Sequence, residues 1–320
     1  MNILAFKQQE LYSADITEEE RVHNEKNFFE LYYQLREQDE HAFWGQLTLR
    51  QRKFIYPLVR TAIKASTLLT GFRFQIINDR HTSTQRPVIF AVTHQGKFDI
   101  ELLVSAISTH MYLLTGDYER IQGTANAYLL GLNGVFYVNE ADKNDRTLVK
   151  EKMISHLQAG GNIMYYPEGN WNLTESLPVH PCFWGIIEVA RRGNALIVPV
   201  AMERYNKYYE INIGENIDLN SPHFVTFDRA EAICMLRNTL ATLKWEIWER
   251  NNMTYEQATK IDWNNIIDAR LAEWPHFDRS CVNRMLFKSK NIVTLEEAFA
   301  HLDRLIPCKE NAFLFRKRNS

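Results

Sequence analysis

His94 and Asp99 stand with four residues between them in VTHQGKFDIELL, residues 92–103. A neutral imidazole can take a proton from a hydroxyl. A carboxylate on its second nitrogen fixes the tautomer and steadies the cation that forms. The usual histidine pKa, about 6.5, suits that task near neutral pH. The competing reading makes Asp99 only a cap for the helix that follows. A second pair of the same spacing, His223 and Asp228 in HFVTFD, serves as a control. Its four intervening residues read as a strand, which at about 3.3 Å per residue holds the ends roughly 16 Å apart. That pair reads as a strand followed by a helix cap, with Glu231 completing a capping box. Between His94 and Asp99 lies Gly96, which permits a tight turn back onto the ring.

Three more segments present side chains at strand ends. In YYPEGNWN, residues 165–172, a strand runs into Pro167, Glu168 and Gly169. Proline stiffens such a turn and glycine admits an unusual backbone angle. Glu168 is thereby offered at the strand end, with a solvated loop carboxylate as the alternative. LNGVFYVN sets Gly134 ahead of a strand, and LIVPVA sets Pro199 inside one. A proline there removes a ladder bond and implies a bulge or an edge position.

The elements that must hold these residues alternate. Strands are expected over 71–78, 88–93, 110–116, 134–139, 162–169, 195–205 and 208–219. Helices are expected from Asp99, over 145–161, from Phe183, and after Asp228. The pattern predicts an α/β fold with a mostly parallel central sheet flanked by helices. Helical extensions are expected at both ends, the first opened by the Thr17–Glu20 capping signal.

Composition excludes little else. Net charge is −2 and 45% of residues are hydrophobic, an ordinary globular balance without a nucleic-acid signature. Cys182, Cys234, Cys281 and Cys308 lack CxxC spacing, so they read as reduced thiols rather than a zinc site. MNILAFKQQELYSAD has no basic stretch followed by a long apolar one, which reads against a secretory signal. FIYPLVRTAIKASTLLTGF, residues 54–72, is broken by Arg60 and Lys64 and is not a span. It reads as a helix packed on the core, with a membrane-surface helix as the alternative. The tail FRKRNS reads as solvated.

Taken in order, THQGKFD, GVFYVN, YPEGNWN and LIVPVA resemble the four blocks of the glycerolipid acyltransferase family, of the lysophosphatidic acid acyltransferase type. The likeness runs over about residues 66–215. It implies an acyltransferase domain over 66–250 between a helical N-terminal extension, 1–65, and a helical C-terminal one, 251–320. It implies His94 as general base and Asp99 as its orienter. Glu168 and Gly169 would help bind the acceptor and Gly134 would shape its pocket. Tyr166 and Trp171 are expected to line the acceptor or acyl channel, with core packing as the alternative, and Pro199 belongs to the fourth block. The donor would be acyl-CoA or acyl carrier protein, as co-substrate. A thioester is already activated, so no cofactor or metal is expected, and the lack of a Gly-x-Ser-x-Gly elbow agrees.

Departures from that pattern concern the acceptor. Glu140 stands where the family carries Arg, Asn170-Trp171 where it carries Thr-Arg, and Gly116 or Asp117 where it carries Lys. Those cations would hold a phosphate by charge-assisted hydrogen bonds. Lys97, Lys143 and Arg146 lie nearby in sequence as replacements. The expected acceptor is a lysophospholipid-like hydroxyl. The alternatives are a glycan, polyol or small metabolite acylated on O or N, a thioester hydrolase, or a non-catalytic acyl- or lipid-binding protein. A cytoplasmic location is expected, with peripheral contact to the inner face of the membrane as an option.

Overall fold

The expected alternation of strands and helices is present in a computed structural model of the chain. It describes residues 17–116, 118–174, 176–251, 254–274 and 277–285, with residues 3, 4, 7, 306, 308, 309, 311 and 312. In chain order the elements are α1 (Glu18–His41), α2 (Leu49–Leu69), β1 (Arg73–Asp79), β2 (Val88–Val92), α3 (Asp99–Ala106), β3 (Tyr112–Thr115), α4 (Tyr118–Ile121), α5 (Ala125–Asn133) and β4 (Val135–Tyr137). There follow α6 (Lys143–Gln158), β5 (Ile163–Tyr165), α7 (Gly185–Arg192), β6 (Leu196–Tyr205), β7 (Tyr208–Ile213), α8 (Arg229–Arg250), α9 (Tyr255–Ala258), α10 (Trp263–Leu271) and α11 (Arg279–Met285). Two compact units result: Met1–Thr61 with His110–Val149, and Ala62–Thr109 with Lys150–Ser320.

In the second unit five strands pair in the order β1-β7-β6-β2-β5. All pairings are parallel except β6–β7, an antiparallel hairpin turning at Asn206-Lys207. Asn206 takes φ +57 there, a backbone angle that asparagine tolerates. All five residues of β2 are buried, as are all ten of β6. Parallel strands covered on both faces read as continuous apolar runs, which is why both were legible. Helix α8 opens with the expected Asp228–Glu231 capping box. It packs Leu243, Ile247 and Trp248 against Ala201 and Tyr205 of β6.

One expectation is corrected here and one is sharpened. Pro199 lies at no edge, because β6 runs between β7 and β2, but the expected bulge is present: pairing passes from Val200–Ile213 to the isolated Ile197–Ile217 bridge with one extra residue on the second side. The missing N–H of Pro199 falls at that irregularity. Its carbonyl still accepts from Gly214 N–H at 2.9 Å. Gly214 leaves room for the ring, since a Cβ there would meet Pro199 Cγ at 2.9 Å. Residues 221–226 form bends and turns, not a strand. Val225 N–H donates back to Ser221 O at 2.9 Å, and the rings of His223, Phe224 and Phe227 cluster together. The aromatics that imitate a strand pattern instead fold onto one another.

In the first unit α1 opens with the Thr17–Glu20 capping box. It buries Phe28 and Tyr32 with Tyr118, and Tyr137 packs against them. Arg36 Nη1 meets Asp145 Oδ2 at 2.9 Å in the interior. β3 and β4 pair in parallel, Leu113 opposite Val135. Gly134 closes α5 at φ +107, and a Cβ there would stand 2.3 Å from the Tyr112 ring. Only glycine meets both demands.

Helix α2 buries Tyr56, Val59 and Ile63 but leaves Phe54 86% and Leu58 76% exposed, with Leu68 and Leu69 also outward. Among the described residues no helix is long and apolar enough to cross a membrane. Of the C-terminal extension, α9–α11 are helical as expected, while the tail FRKRNS lies outside the described residues.

Candidate active site

The chain leaves β2 at its carboxyl end and turns at once, Asp99 N–H reaching Gly96 O at 3.3 Å. Asp99 is the first residue of α3, yet its side chain caps nothing. Phe98 is the N-cap and makes no side-chain bond. The carboxylate is instead folded back into the turn. Its Oδ2 accepts from the backbone N–H of Gln95, from that of Gly96 at 3.1 Å, and meets His94 Nδ1 at 2.8 Å. Asp99 is fully buried, whereas the His94 side chain keeps 15% of its surface. Gly96 does not take a positive φ, and what it offers is room. A Cβ there would come 3.1 Å from Arg204 Nη1 and 3.7 Å from the Tyr209 hydroxyl.

The loop after β5 grips the same histidine. Glu168 Oε1 accepts His94 N–H at 3.1 Å, and Asn172 N–H donates to His94 O at 2.8 Å. The other Glu168 oxygen accepts from His180 N–H at 2.8 Å and from the Asn172 amide at 3.4 Å. Glu168 is thus enclosed and occupied by three donors from its own unit. Burial pushes its carboxyl up, while the His180 N–H, Lys244 and the His94 N–H pull it back. Gly169 takes φ +73 and closes the turn onto Tyr166 O, with the Phe183 ring where a Cβ would lie.

Aromatic rings wall the imidazole. Tyr166 stacks on it at 4.1 Å between centroids and 20° between planes. Trp171 stands edge-on at 6.1 Å. Trp171 is also core. It packs with Ile267 and Leu271 of α10, Phe277, and Cys281 and Val282 of α11. The core-packing alternative is what the structure shows for this residue, whose ring also stands edge-on to His94. Asn170 adds a bond to Val282 O at 3.3 Å.

Charge around the pair is dense. Burial pushes the Glu101 carboxyl, in the first turn of α3, up to about 7, against the pull of Lys97. Its Oε2 is buried without a hydrogen-bond partner. Burial and then Asp99 push the Tyr209 hydroxyl far up. Lys97 lays its ammonium over the rings of Phe98 and Trp274.

The structure thus brings His94, Asp99, Glu168, Gly169, Tyr166 and Trp171 together. Pro199 sits at the register of Ala91 on the neighbouring strand, and Gly134 belongs to the other unit. Asn172, Arg204 and Tyr209 escaped the sequence reading. Only the recurrence of Asn in Gly-Asn-Trp-Asn hinted at the first. Among the described residues no group of His, Cys, Asp and Glu is arranged to hold a metal. An imidazole bonded to a buried carboxylate on a fixed backbone is what the arrangement offers, a geometry suited to removing a proton from a hydroxyl.

Comparison with known proteins bears on this geometry. Residues 73–203 match the Acyltransferase family. Among solved structures the chain is similar to the 1-acyl-sn-glycerophosphate (LPA) acyltransferase PlsC from Thermotoga maritima. Sequence identity is 12%, the match covers 69% of this chain and 88% of that one, and the TM-score is 0.51. At that identity the likeness speaks to the fold. No curated protein matches the sequence.

Proposed function

We propose that this chain, whose residues 73–203 match the Acyltransferase family, moves a fatty acyl group from acyl-CoA or acyl carrier protein to a hydroxyl of a lysophospholipid-like acceptor. One observation carries the reading: the His94 Nδ1–Asp99 Oδ2 contact of 2.8 Å, with Oδ2 anchored by two backbone N–H groups. Asp99 keeps the proton on Nδ1. The Nε2 edge, for which the described residues supply no hydrogen-bond partner, is then the base.

His94 takes the acceptor's hydroxyl proton as the oxygen attacks the thioester carbonyl. The tetrahedral intermediate collapses, the C–S bond breaks, and the imidazolium returns the proton to the departing sulfur. The Asp99 carboxylate steadies the cation between those steps. Tyr166, stacked on the ring, and the backbone bonds from Glu168 and Asn172 hold the imidazole in place.

Helix α2 supports a peripheral membrane location on the inner face. Phe54, Leu58, Leu68 and Leu69 are outward, and outside the buried Arg52 the helix carries four cations, Arg50, Lys53, Arg60 and Lys64, and no carboxylate. An apolar stripe with basic flanks suits an anionic lipid surface.

A second reading, a non-phospholipid acceptor, is favoured by the departures. Trp171 is packed among apolar side chains. Glu140 and Gly116, both standing where the family has cations, are neighbours, since a Cβ on Gly116 would lie 2.7 Å from Glu140 Oε1. By the resemblance, the loss of those cations favours neutral or amine-bearing acceptors over a phosphate monoester.

The test is thiol release from acyl-CoA and from acyl carrier protein, across lysophosphatidic acid, lysophosphatidylcholine, monoacylglycerol and a glycan, with His94→Ala alongside. Acceptor-dependent release that disappears in His94→Ala is expected. Full release in that variant would overturn the base assignment, and a preference for the neutral acceptors would select the second reading.

A further inference from the structure

Arg204 is a buried cation at the back of the catalytic turn, one residue beyond the matched domain. Its guanidinium pairs two-pronged with Glu273, Nη1 to Oε2 at 2.7 Å and Nη2 to Oε1 at 2.5 Å. Nε donates to Asn206 O at 2.7 Å. Its faces meet the rings of Phe72 at 5.1 Å and Tyr209 at 5.9 Å. Phe72 in turn stacks at 4.1 Å on Phe98 of the catalytic turn. Arg270 donates to Arg204 O, so α10 holds this strand end from two sides.

We propose that Arg204, fixed by Glu273, is a positioning residue for the His94–Asp99 pair. It seats the Gly96 turn from below, and it sets the charge that the pair experiences. The C-terminal helical segment, outside the matched domain, thereby tunes the pH range of the reaction. This rests on His94 being the base.

The geometry carries it. Nη1 stands close against the turn, 3.1 Å from the Cβ position of Gly96, a tight contact for any side chain there. Asp99 takes two of its bonds from that same stretch of backbone. A bidentate arginine–carboxylate pair gives fixed geometry as well as charge. The other groups facing the pair are Lys97 and Glu101 from the turn and α3, Tyr166 and Glu168 from the β5 loop, and Tyr209 from β7. Arg270 comes from α10, and Lys244 of α8 acts on Glu168. Arg204 and Glu273 cancel one another within this set, so removing one member exposes the other's charge.

The signs follow. Glu273→Gln leaves an unpaired guanidinium, which opposes protonation of His94, so the acid limb of the kcat/KM profile moves to lower pH. Arg204→Met leaves a carboxylate and moves it to higher pH. Each displacement is about half a unit or more. The double variant Arg204→Met/Glu273→Met returns the limb close to the wild-type position. Arg204→Lys keeps the limb in place but lowers kcat several-fold, because the two-pronged seat is lost while the charge stays.

The experiment records these profiles and, in parallel, titrates the His94 ring by NMR, with its signal assigned from His94→Gln. Opposite displacements in the two single variants support the proposal. A limb and ring signal unmoved in Glu273→Gln, or moved the same way in both single variants, overturns it. Arg204→Met is the variant at risk of misfolding, and Glu273→Gln, at a partly exposed position, decides alone in that case. If His94→Ala stays active, the base assignment has failed, and the ring titration still judges the electrostatic claim.

Discussion

Replacing Asp99 with Asn removes one negative charge while keeping the shape of the turn. Oδ2 meets three donors, the His94 ring and the N–H groups of Gln95 and Gly96. An asparagine that puts its carbonyl oxygen there keeps all three and turns its NH2 toward the Tyr209 side, where Oδ1 has no hydrogen-bond partner. What is lost is the attraction between the carboxylate and the imidazolium. Charge centres about 4 Å apart, at an effective dielectric of about 20, attract by about 4 kcal/mol. Part of that is already present with a neutral ring. A loss of about 2.7–4 kcal/mol in the transition state corresponds to roughly 10²–10³ in kcat. KM should change less than threefold, because substrate does not touch a fully buried Asp99. The assay is steady-state thiol release, with thermal unfolding to check the fold. His94→Ala should cost at least as much, and the double variant should lose little more, as expected for residues acting as one unit. An Asp99→Asn enzyme within tenfold of wild type would refute the orienter role, and so would additive losses in the double variant.

Other outcomes follow from the same structure. Glu168→Gln must turn an NH2 toward the N–H of either His94 or His180. It should lose about 2–3 kcal/mol of stability by thermal unfolding together with a lower kcat, and an unchanged melting point would count against the brace. Glu101 has its carboxyl pushed from 4.5 up to about 7, so wild-type stability falls as pH rises through that interval. Glu101→Gln removes the loss. It should stabilise by about 1–3 kcal/mol near pH 8 and by almost nothing near pH 4.5, and denaturant unfolding at the two pH values checks the sign. Phe54→Glu with Leu58→Glu should lower co-sedimentation with anionic vesicles at least tenfold, since each change removes about 2 kcal/mol of apolar burial and adds repulsion. Equal sedimentation would remove α2 from the membrane reading.

Much of this fold was legible because apolar runs record burial directly. Val88–Val92 and Leu196–Tyr205 read as interior strands and are wholly buried. His94 and Asp99 were separable from His223 and Asp228 through one glycine, although the reason was space beneath Gly96 and not its backbone angle. Glu168 was legible as important and misleading in kind. Its partners are backbone N–H groups, which leave no trace in residue types. Arg204 and Glu273 were invisible for a similar reason, being 69 positions apart. HFVTFD imitated period-two alternation with rings that cluster locally. Pro199 was legible as a bulge, and it sits where the register to the neighbouring segment shifts by one residue.

The grip of the Glu168–Asn172 loop on both backbone groups of His94 bears on how the chain is made. While the ribosome has delivered only β2 and α3, the histidine and aspartate exist but their platform does not. It arrives some 74 residues later with Glu168, and the parallel neighbour β6 comes later still. Non-local pairing of that kind is slow to form. A nascent or truncated chain ending before α7 therefore has the proton-handling residues without the means to aim them. The pair is aimed only after synthesis has run on through β5 and β6, well after both of its residues have been made.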